Sequence, residues 1–201
     1  MNDSILKKGI QALRWEANYR NKNEKPGSNH FLAPATSLDI DFEIHLDKHN
    51  VAAGKALDVG TGTGEQAIFL SKKGFEVTAT DVSRTVLENA RDLAGLYKVD
   101  VNFIEDNILD TRLNDQFDLI VDRGCFTILP AEYKQDYFSA IKKLLKVNGW
   151  FFLKVDKKKN NDLTTFASDV CFKNYSLEKS SYPSINNKII QAVVLVAQKV
   201  R

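Results

Sequence analysis

A glycine-rich turn between a buried strand and a helix constrains the fold of this chain more than any other feature. The segment from Ala56 to Leu70 reads ALDVGTGTGEQAIFL, in which an apolar run leads into glycines at Gly60, Gly62 and Gly64. Glycine adopts backbone angles that other residues avoid, and it places no Cβ between the peptide groups and a ligand. We therefore expect a sharp strand-to-helix turn with a ligand lying against it.

Short apolar runs alternate with helical segments after this turn. The predicted strands are Lys55 to Val59, Phe75 to Asp81, Val101 to Glu105, Phe117 to Asp122 and Gly149 to Val155. Predicted helices cover residues 64–73, 83–97 and 131–146. Consecutive apolar positions in the fourth and fifth strands indicate that both faces of the sheet are covered. The pattern predicts an open α/β sheet.

The C-terminal part of the chain departs from this alternation. Extended segments near Tyr175 to Tyr182 and from Lys188 to Gln198 are separated by a short polar stretch. Such a pair favours an antiparallel hairpin at one edge of the sheet.

Composition excludes several classes of protein. A chain of 201 residues, 43% of them hydrophobic, forms a core without disulfides or a structural metal. The two cysteines, Cys125 and Cys171, have no histidine at metal-ligand spacing, so no metal site is expected. The 28 basic and 26 acidic residues are mixed along the chain, which disfavours a nucleic-acid partner. Without a predicted membrane span or secretory signal, we expect a cytoplasmic protein with no membrane partner.

The spacing of the glycines separates three kinds of ligand. A phosphate-binding P-loop requires Lys followed by Ser or Thr after the glycines, where this chain has Glu65 and Gln66. A dinucleotide motif requires a third glycine at the position of Glu65, beside the helix N-terminus that would hold pyrophosphate. An acidic residue there favours a ligand with positive charge instead, and a turn without a ligand is the remaining alternative.

The acidic residue followed by G-x-G-x-G, here Asp58 to Gly64, resembles the glycine motif of the class I S-adenosylmethionine-dependent methyltransferase family. The resemblance covers the chain from Lys55 to about Val155. It implies S-adenosyl-L-methionine as cofactor and a Rossmann-like three-layer sandwich, with a mainly parallel seven-stranded sheet, an antiparallel last strand and an N-terminal helical cap. We expect a single domain over 1–201, with a lid segment over 1–34 and the Rossmann-like core over 50–201.

Cofactor contacts are expected at successive strand ends. In the glycine turn they are Asp58, Gly60, Thr61, Gly62 and Gly64. An acidic side chain at the end of the second strand is placed to accept both ribose hydroxyls, which assigns Asp81 with Val82 to the site. The alternative for Asp81 is a helix cap, which Ser83 alone can provide.

The third strand ends in a second group of expected cofactor contacts. By resemblance, Asp106 accepts from the adenine amino group, Asn107 meets the ring through its N–H, and Ile108 packs on the adenine face. Asp and Asn are also common in turns, so Asp106 as a plain turn residue stays open.

The fourth strand ends in Asp122, Arg123, Gly124, Cys125 and Phe126, where the methyl acceptor is expected. Asp122 is a candidate catalytic and acceptor-binding residue, although it is equally well placed to bind nearby backbone or to pair with Arg123. Arg123 is expected at the cofactor and Phe126 at the acceptor. The Asp-Arg-Gly sequence resembles thiopurine methyltransferase-like and tellurite-resistance-type small-molecule methyltransferases, and departs from the Asn/Asp-Pro-Pro-Tyr of enzymes that methylate DNA bases or protein glutamines. Cys125 is expected to be a packing residue.

The N-terminal segment carries two aromatics four residues apart, Trp15 and Tyr19, on one helical face. In the families that this chain resembles, such a helix closes over cofactor and substrate. The resemblance implies that Trp15 contacts the cofactor, and that Tyr19 and Phe31 bind the acceptor. An amphipathic helix packed on the sheet is the alternative. His30 is a general base only if this segment folds it into the site.

Together these features predict a methyltransferase that moves a methyl group to a small-molecule nucleophile by in-line displacement, mainly through positioning. Two alternatives stay open: a methyltransferase acting on a protein or RNA, and a non-catalytic S-adenosylmethionine-binding module. The acceptor and the oligomeric state are not encoded in any recognisable motif.

Overall fold

A computed structural model describes residues 40–156, 171–183 and 189–200, together with residues 9, 12–17, 20 and 163. Within these residues the chain forms one seven-stranded sheet with the strand order β3-β2-β1-β4-β5-β7-β6. The strands are β1 Lys55–Val59, β2 Glu76–Asp81, β3 Asn102–Glu105, β4 Phe117–Arg123, β5 Leu145–Asp156, β6 Phe172–Pro183 and β7 Ile189–Lys199.

Helices α1 to α5 connect or flank these strands. They are α1 Ile40–Lys48, α2 Glu65–Lys72, α3 Arg84–Tyr97, α4 Cys125–Ile128 and α5 Lys134–Leu144, with single 3-10 turns at Ile108–Asp110 and Ala131–Tyr133. Of the helices that the structure describes, none combines the length and the apolar character that a bilayer crossing requires.

The sheet is parallel from β3 through β5, and β7 is antiparallel to both of its neighbours. The last strand in sequence is therefore inserted between β5 and β6. The prediction of a mainly parallel seven-stranded sheet with an antiparallel last strand is confirmed, and so is the predicted hairpin of the last two strands. β6 forms the edge of the sheet at this end.

Alternating side chains of the central strands pack into two separate hydrophobic cores, one on each face of the sheet. Leu57 and Ile120 point to the face covered by α5, where Tyr137 and Ile141 are fully buried. Ala56 and Leu119 point to the opposite face, covered by α1, α2 and α3. Because both faces are covered, the strands are apolar at consecutive positions, as the sequence predicted.

Helix α1 is an element that the sequence pattern did not reveal. Phe42 and Leu46 on this helix are buried, and the Phe42 ring lies 5.9 Å from that of Phe152 on β5. This contact covers the sheet where β5 lies beside β7. Observed bounds elsewhere shift by a few residues: β5 begins at Leu145 and α5 ends at Leu144.

Candidate functional site

The carboxyl ends of β1, β2, β3 and β4 lie side by side because these four strands are adjacent and parallel. This is the edge of an open α/β sheet where ligands bind. Most of the predicted site residues fall there, in the turn after β1, at the end of β2, just after β3 and at the tip of β4.

Two glycines of the turn after β1 are required by close contacts as well as by backbone angles. Gly60 has a φ of +65°, and a Cβ on it would lie 2.6 Å from the Cβ of Cys125. Gly64 has a φ of +88°, and its Cβ would meet Ala90 at 3.0 Å and the Phe103 ring at 3.2 Å. The turn is thereby pressed against the tip of β4 on one side and against α3 on the other.

Asp81 connects three parts of the site. Its carboxylate accepts hydrogen bonds from the N–H of Gly62, at 3.1 Å, and of Ser83, at 3.0 Å. Its carbonyl oxygen accepts from the N–H of Asp106 at 3.0 Å. Ser83 caps α3 by accepting from the N–H of Val86, so the cap does not need Asp81. A carboxylate has about four acceptor sites, which leaves Asp81 capacity for a ligand.

A cluster of buried acidic side chains gives this edge a negative character. Burial raises the pKa of Asp58 to about 7; the hydrogen bond from Thr61 Oγ1, at 2.6 Å, opposes this shift, whereas nearby Asp122, Glu65 and Asp81 add to it. Burial also raises the pKa of Glu65, which accepts from Thr63 Oγ1 at 2.7 Å. Burial likewise raises the pKa of Asp81. Each of these carboxyl groups would be stabilised in its ionised form by a cation.

The segment after β3 holds Asp106, Asn107 and Ile108. Asp106 is buried, and its Oδ1 accepts from the N–H of Arg112 at 3.0 Å. Asn107 Oδ1 accepts from the N–H of Leu109 at 3.1 Å and begins a 3-10 turn. Ile108 is 6% exposed and belongs to the hydrophobic core on the face of the sheet that α5 covers. Asp106 therefore organises a turn, which was the alternative to a cofactor contact. It also lies just after β3, where the cofactor contact was predicted.

The tip of β4 is organised around Asp122. This side chain is fully buried, and its carboxylate accepts from the N–H groups of Gly124 and Cys125 at 2.8 Å and of Phe126 at 3.0 Å. Tyr137 on α5 donates its O–H to Asp122 Oδ2 at 2.5 Å. Burial raises the pKa of Asp122 to about 6, although these hydrogen bonds lower it. The arrangement favours the alternative of an Asp that binds nearby backbone over contact with a substrate.

Phe126 is fully buried as well, with its ring 5.1 Å from that of Tyr137 and 4.9 Å from that of Phe138. Full burial favours a packing role for Phe126 over the predicted contact with an acceptor. Burial raises the pKa of the Cys125 thiol well above its usual value, with the carboxylate of Asp122 adding to the shift. A thiol held protonated in this way suits the expected packing role.

Among the N-terminal candidates, Trp15 lies in the described helical residues 12–17 and is partly buried. Tyr19, Phe31 and His30 lie outside the described residues. The sequence did not single out Glu16, whose carboxylate accepts from Ser83 Oγ at 2.6 Å and from Thr85 Oγ1 at 2.8 Å. It also missed Tyr137, because no spacing in sequence marks a hydrogen bond between α5 and β4.

This geometry suits a ligand that carries positive charge and hydroxyl groups. The acidic side chain of Glu65 occupies the start of α2, the place where a phosphate would bind to helix N–H groups. Asp58 and Asp81 add negative charge on the same edge. Among the described residues, no group of three His, Cys, Asp or Glu side chains is arranged to hold a metal ion.

Comparison with known proteins gives a family match over the 94 residues that carry most of the candidate site. Residues 56–149 match the model of the family described as "Methyltransferase domain". The chain is 50% identical over 136 residues to the release factor glutamine methyltransferase of Flavobacterium psychrophilum, covering 56% of this chain and 48% of that protein. It is 27% identical over 148 residues to the ubiquinone biosynthesis O-methyltransferase of Rickettsia canadensis, covering 73% and 61%.

A shorter match, 38% identical over 68 residues, is with the 23S rRNA (uracil(747)-C(5))-methyltransferase of Pyrococcus abyssi and covers 34% of this chain and 17% of that protein. The chain spans between 39% and 48% of the length of the first three curated relatives that it matches.

Solved structures match nearly the whole chain. One is the magnesium protoporphyrin IX methyltransferase of Synechocystis with bound SAM, with a TM-score of 0.74, 15% identity, and coverage of 96% of both chains. Another is a TehB-like SAM-dependent methyltransferase of Corynebacterium glutamicum, with a TM-score of 0.61, 22% identity, and coverage of 96% of this chain and 98% of that one. These matches confirm the Rossmann-like fold predicted from the sequence.

Proposed function

We propose that this chain, whose residues 56–149 match a methyltransferase domain family, is a class I S-adenosylmethionine-dependent methyltransferase, as its sequence predicted, and that it transfers the methyl group to a small-molecule nucleophile. The observation that carries the proposal is the hydrogen-bonded junction at Asp81. The carboxylate and the carbonyl of this one residue join the glycine turn after β1 to Asp106 after β3. Three candidate cofactor-binding elements therefore form one continuous surface.

The residues present fit S-adenosylmethionine by charge and by hydrogen-bonding capacity. In the proposed arrangement the ribose hydroxyls donate to Asp81, and the adenine lies against Asp106, Asn107 and Ile108. Asp58 and Glu65 supply the negative charge that stabilises an ammonium and a sulfonium group. Gly62, with a φ of +55°, carries no Cβ that would stand between its peptide groups and a cofactor. When bound, this cofactor supplies a methyl group that its positive charge has already activated.

The chain's own contribution to the transfer is positioning. Aligning two reactants and excluding water supplies up to about 7–11 kcal/mol of the barrier in favourable cases. Asp122 contributes by holding the backbone of Gly124, Cys125 and Phe126 at the tip of β4, beside the glycine turn. We propose that this tip forms the acceptor-side wall, so that no proton transfer through Asp122 is required.

A small-molecule acceptor is favoured over a protein glutamine by the sequence at the tip of β4. A release factor glutamine methyltransferase is 50% identical to this chain over 136 residues. This chain nevertheless has Asp122, Arg123, Gly124 and Cys125 where glutamine methylation is associated with Asn/Asp-Pro-Pro-Tyr. Support for a small acceptor also comes from the magnesium protoporphyrin IX methyltransferase, whose fold matches 96% of this chain.

The cofactor half of the proposal is tested by changing Asp81. Asp81→Ala is expected to weaken S-adenosylmethionine binding by about 1.5–3 kcal/mol in calorimetry, because hydrogen bonds to a charged group are lost. Asp92→Ala, an exposed position on α3, is the matched control and is expected to leave the affinity unchanged. Equal affinities for the two variants would remove Asp81 from the site.

The acceptor half is tested by following S-adenosylhomocysteine formation. Small thiols, amines, phenols and carboxylates are supplied in one series, and protein or RNA substrates in another. Turnover with a small molecule supports the proposal, whereas turnover with protein or RNA alone contradicts it. Binding of the cofactor without turnover in either series favours the non-catalytic module.

A further inference from the structure

Glu16 makes a set of contacts with the start of α3 that the proposed function does not use. Its side chain is 15% exposed. Glu16 Oε2 accepts from Ser83 Oγ at 2.6 Å, and Glu16 Oε1 accepts from Thr85 Oγ1 at 2.8 Å. The N–H of Thr85 points to Glu16 Oε2 at 3.4 Å. One carboxylate thus fastens the helical residues 12–17 to the start of α3, whose capping residue Ser83 lies 67 residues after Glu16.

The chemistry of these contacts makes them stronger than an ordinary surface pair. The first N–H groups of a helix lack partners within the helix, and its N-terminus attracts negative charge. Burial raises the pKa of Glu16, but hydrogen bonds from Ser83, Thr85 and Arg20 outweigh that effect and lower it to about 2. Glu16 therefore stays ionised from pH 5 to pH 9.

The same contacts lead directly to the cofactor site. Ser83 is fully buried; its hydroxyl donates to Glu16 and accepts from the N–H of Val86. The N–H of Ser83 donates to Asp81 Oδ1 at 3.0 Å. A chain of hydrogen bonds therefore runs from Glu16 through Ser83 to the carboxylate that is proposed to hold the ribose.

We infer that Glu16 is a positioning residue for cofactor binding, which fastens residues 12–17 beside Asp81 and makes them one wall of the adenosine end of the site. The inference rests on the proposed function. A wall held in this way contributes contacts that the bound molecule must lose when it leaves. Loss of the Glu16 charge is therefore expected to speed dissociation much more than it slows association.

The experiment measures association and dissociation rates of S-adenosylhomocysteine by stopped-flow fluorescence on the full chain. Glu16→Gln is expected to raise the dissociation rate about tenfold, the effect of losing charge-assisted hydrogen bonds, with the association rate within about twofold. Thr85→Val removes one partner of Glu16 and is expected to act in the same direction. The double variant is expected to fall short of the product of the two single effects, because both changes remove one shared contact.

Glu88→Gln is the matched control, since Glu88 is an exposed acid on the same helix that pairs with Arg84. Glu88→Gln also removes one negative charge near the start of α3, but it leaves the contacts of residues 12–17 in place. The association and dissociation rates of this variant are expected to match those of the unaltered chain. A Glu16→Gln variant with unchanged dissociation contradicts the inference. So does a variant in which both rates and the melting midpoint change together, since that is the result of a general loss of structure.

Hydrogen exchange without ligand separates this inference from the proposed function. Glu16→Gln is expected to speed amide exchange in residues 12–17 while the strands of the sheet keep their protection. If the unaltered chain binds no adenosyl compound, the proposed function fails and the cofactor role of Glu16 fails with it. If the unaltered chain binds and Glu16→Gln leaves both dissociation and exchange unchanged, only the inference about Glu16 fails.

Discussion

Gly60 and Cys125 lie so close that a single added carbon would not fit between them. A Cβ on Gly60 would stand 2.6 Å from the Cβ of Cys125, which is closer than real Cβ atoms approach. The two residues belong to the turn after β1 and to the tip of β4. Their contact brings the proposed cofactor surface and the proposed acceptor wall together at the same place.

Substitution Gly60→Ala is expected to lower stability and cofactor affinity by more than the backbone strain of a positive φ alone explains. Gly74→Ala is the matched control, because Gly74 also has a positive φ, of +90°, while its nearest neighbour would lie 3.8 Å away. The control is expected to lose about 1–2 kcal/mol from backbone strain. Gly60→Ala is expected to lose more and to bind S-adenosylmethionine at least tenfold more weakly, as urea denaturation and calorimetry measure. Equal losses of stability and binding in the two variants would contradict the importance of the contact.

The raised pKa of Asp58 predicts that cofactor binding depends on pH. Above a pKa of about 7 the side chain is ionised and stabilises a cationic ligand; below it, the proton removes this charge. Affinity for S-adenosylmethionine is expected to fall by up to roughly tenfold from pH 8 to pH 6, following the ionised fraction. Asp58→Asn is expected to flatten this profile in calorimetry. An unchanged profile in Asp58→Asn would assign the dependence to another group.

The same shift affects the stability of the protein without ligand in the opposite direction. Between the ordinary Asp value and about 7, folded Asp58 keeps a proton that the unfolded chain has lost. Asp58 therefore stabilises the fold at low pH, and this contribution disappears as the pH rises through about 7. In urea denaturation, Asp58→Asn is expected to gain stability relative to the unaltered chain from pH 5 to pH 8.

Tyr137→Phe tests the hydrogen bond that supports the tip of β4. The substitution keeps the buried ring and removes the O–H that donates to Asp122. We expect a loss of about 1–3 kcal/mol, since a buried carboxylate loses a partner. Tyr97→Phe is the control, because the Tyr97 ring packs beneath Lys72 at 3.9 Å and against the core on the face of the sheet opposite to Tyr137. Comparable, near-zero losses in both variants would mean that Tyr137 contributes by packing alone.

His49 predicts a loss of stability at acidic pH. Burial lowers the pKa of this histidine, and the neighbouring Lys48 adds to the shift. The unfolded chain therefore binds a proton more readily than the folded one, and stability is expected to fall as the pH drops below the ordinary His value. His49→Phe keeps a ring near Trp150, whose centroid lies 4.4 Å away, and does not titrate. The variant is expected to lose less stability between pH 7 and pH 5 than the unaltered chain.

The part of this structure that follows from local pattern was predictable. The glycines after β1 and the acidic ends of β2 and β3 are placed by short stretches of sequence, and alternating strands and helices specify the sheet. Consecutive apolar residues in β4 and β5 correctly indicated a sheet covered on both faces.

The features that escaped prediction depend on contacts between distant parts of the chain. Asp122 and Tyr137 are joined across 15 residues, and Glu16 and Thr85 across 69. Helix α1 is short, and it is fixed by the packing of Phe42 against Phe152 on a strand more than a hundred residues later. The hydrophobic periodicity of a sequence does not indicate which distant side chains form hydrogen bonds. The roles of Glu16 and Tyr137 therefore become visible only in the folded structure.

The most direct test of the proposed cofactor site is a thermal melt of the protein alone and with a large excess of S-adenosylmethionine, S-adenosylhomocysteine or NAD. A ligand at a hundred times its dissociation constant adds about 2.7 kcal/mol, which raises the midpoint of a chain of this length by roughly 5–10 °C. The proposed site predicts this rise with both adenosyl compounds and none with NAD. A rise with NAD alone, or with none of the three, would contradict it.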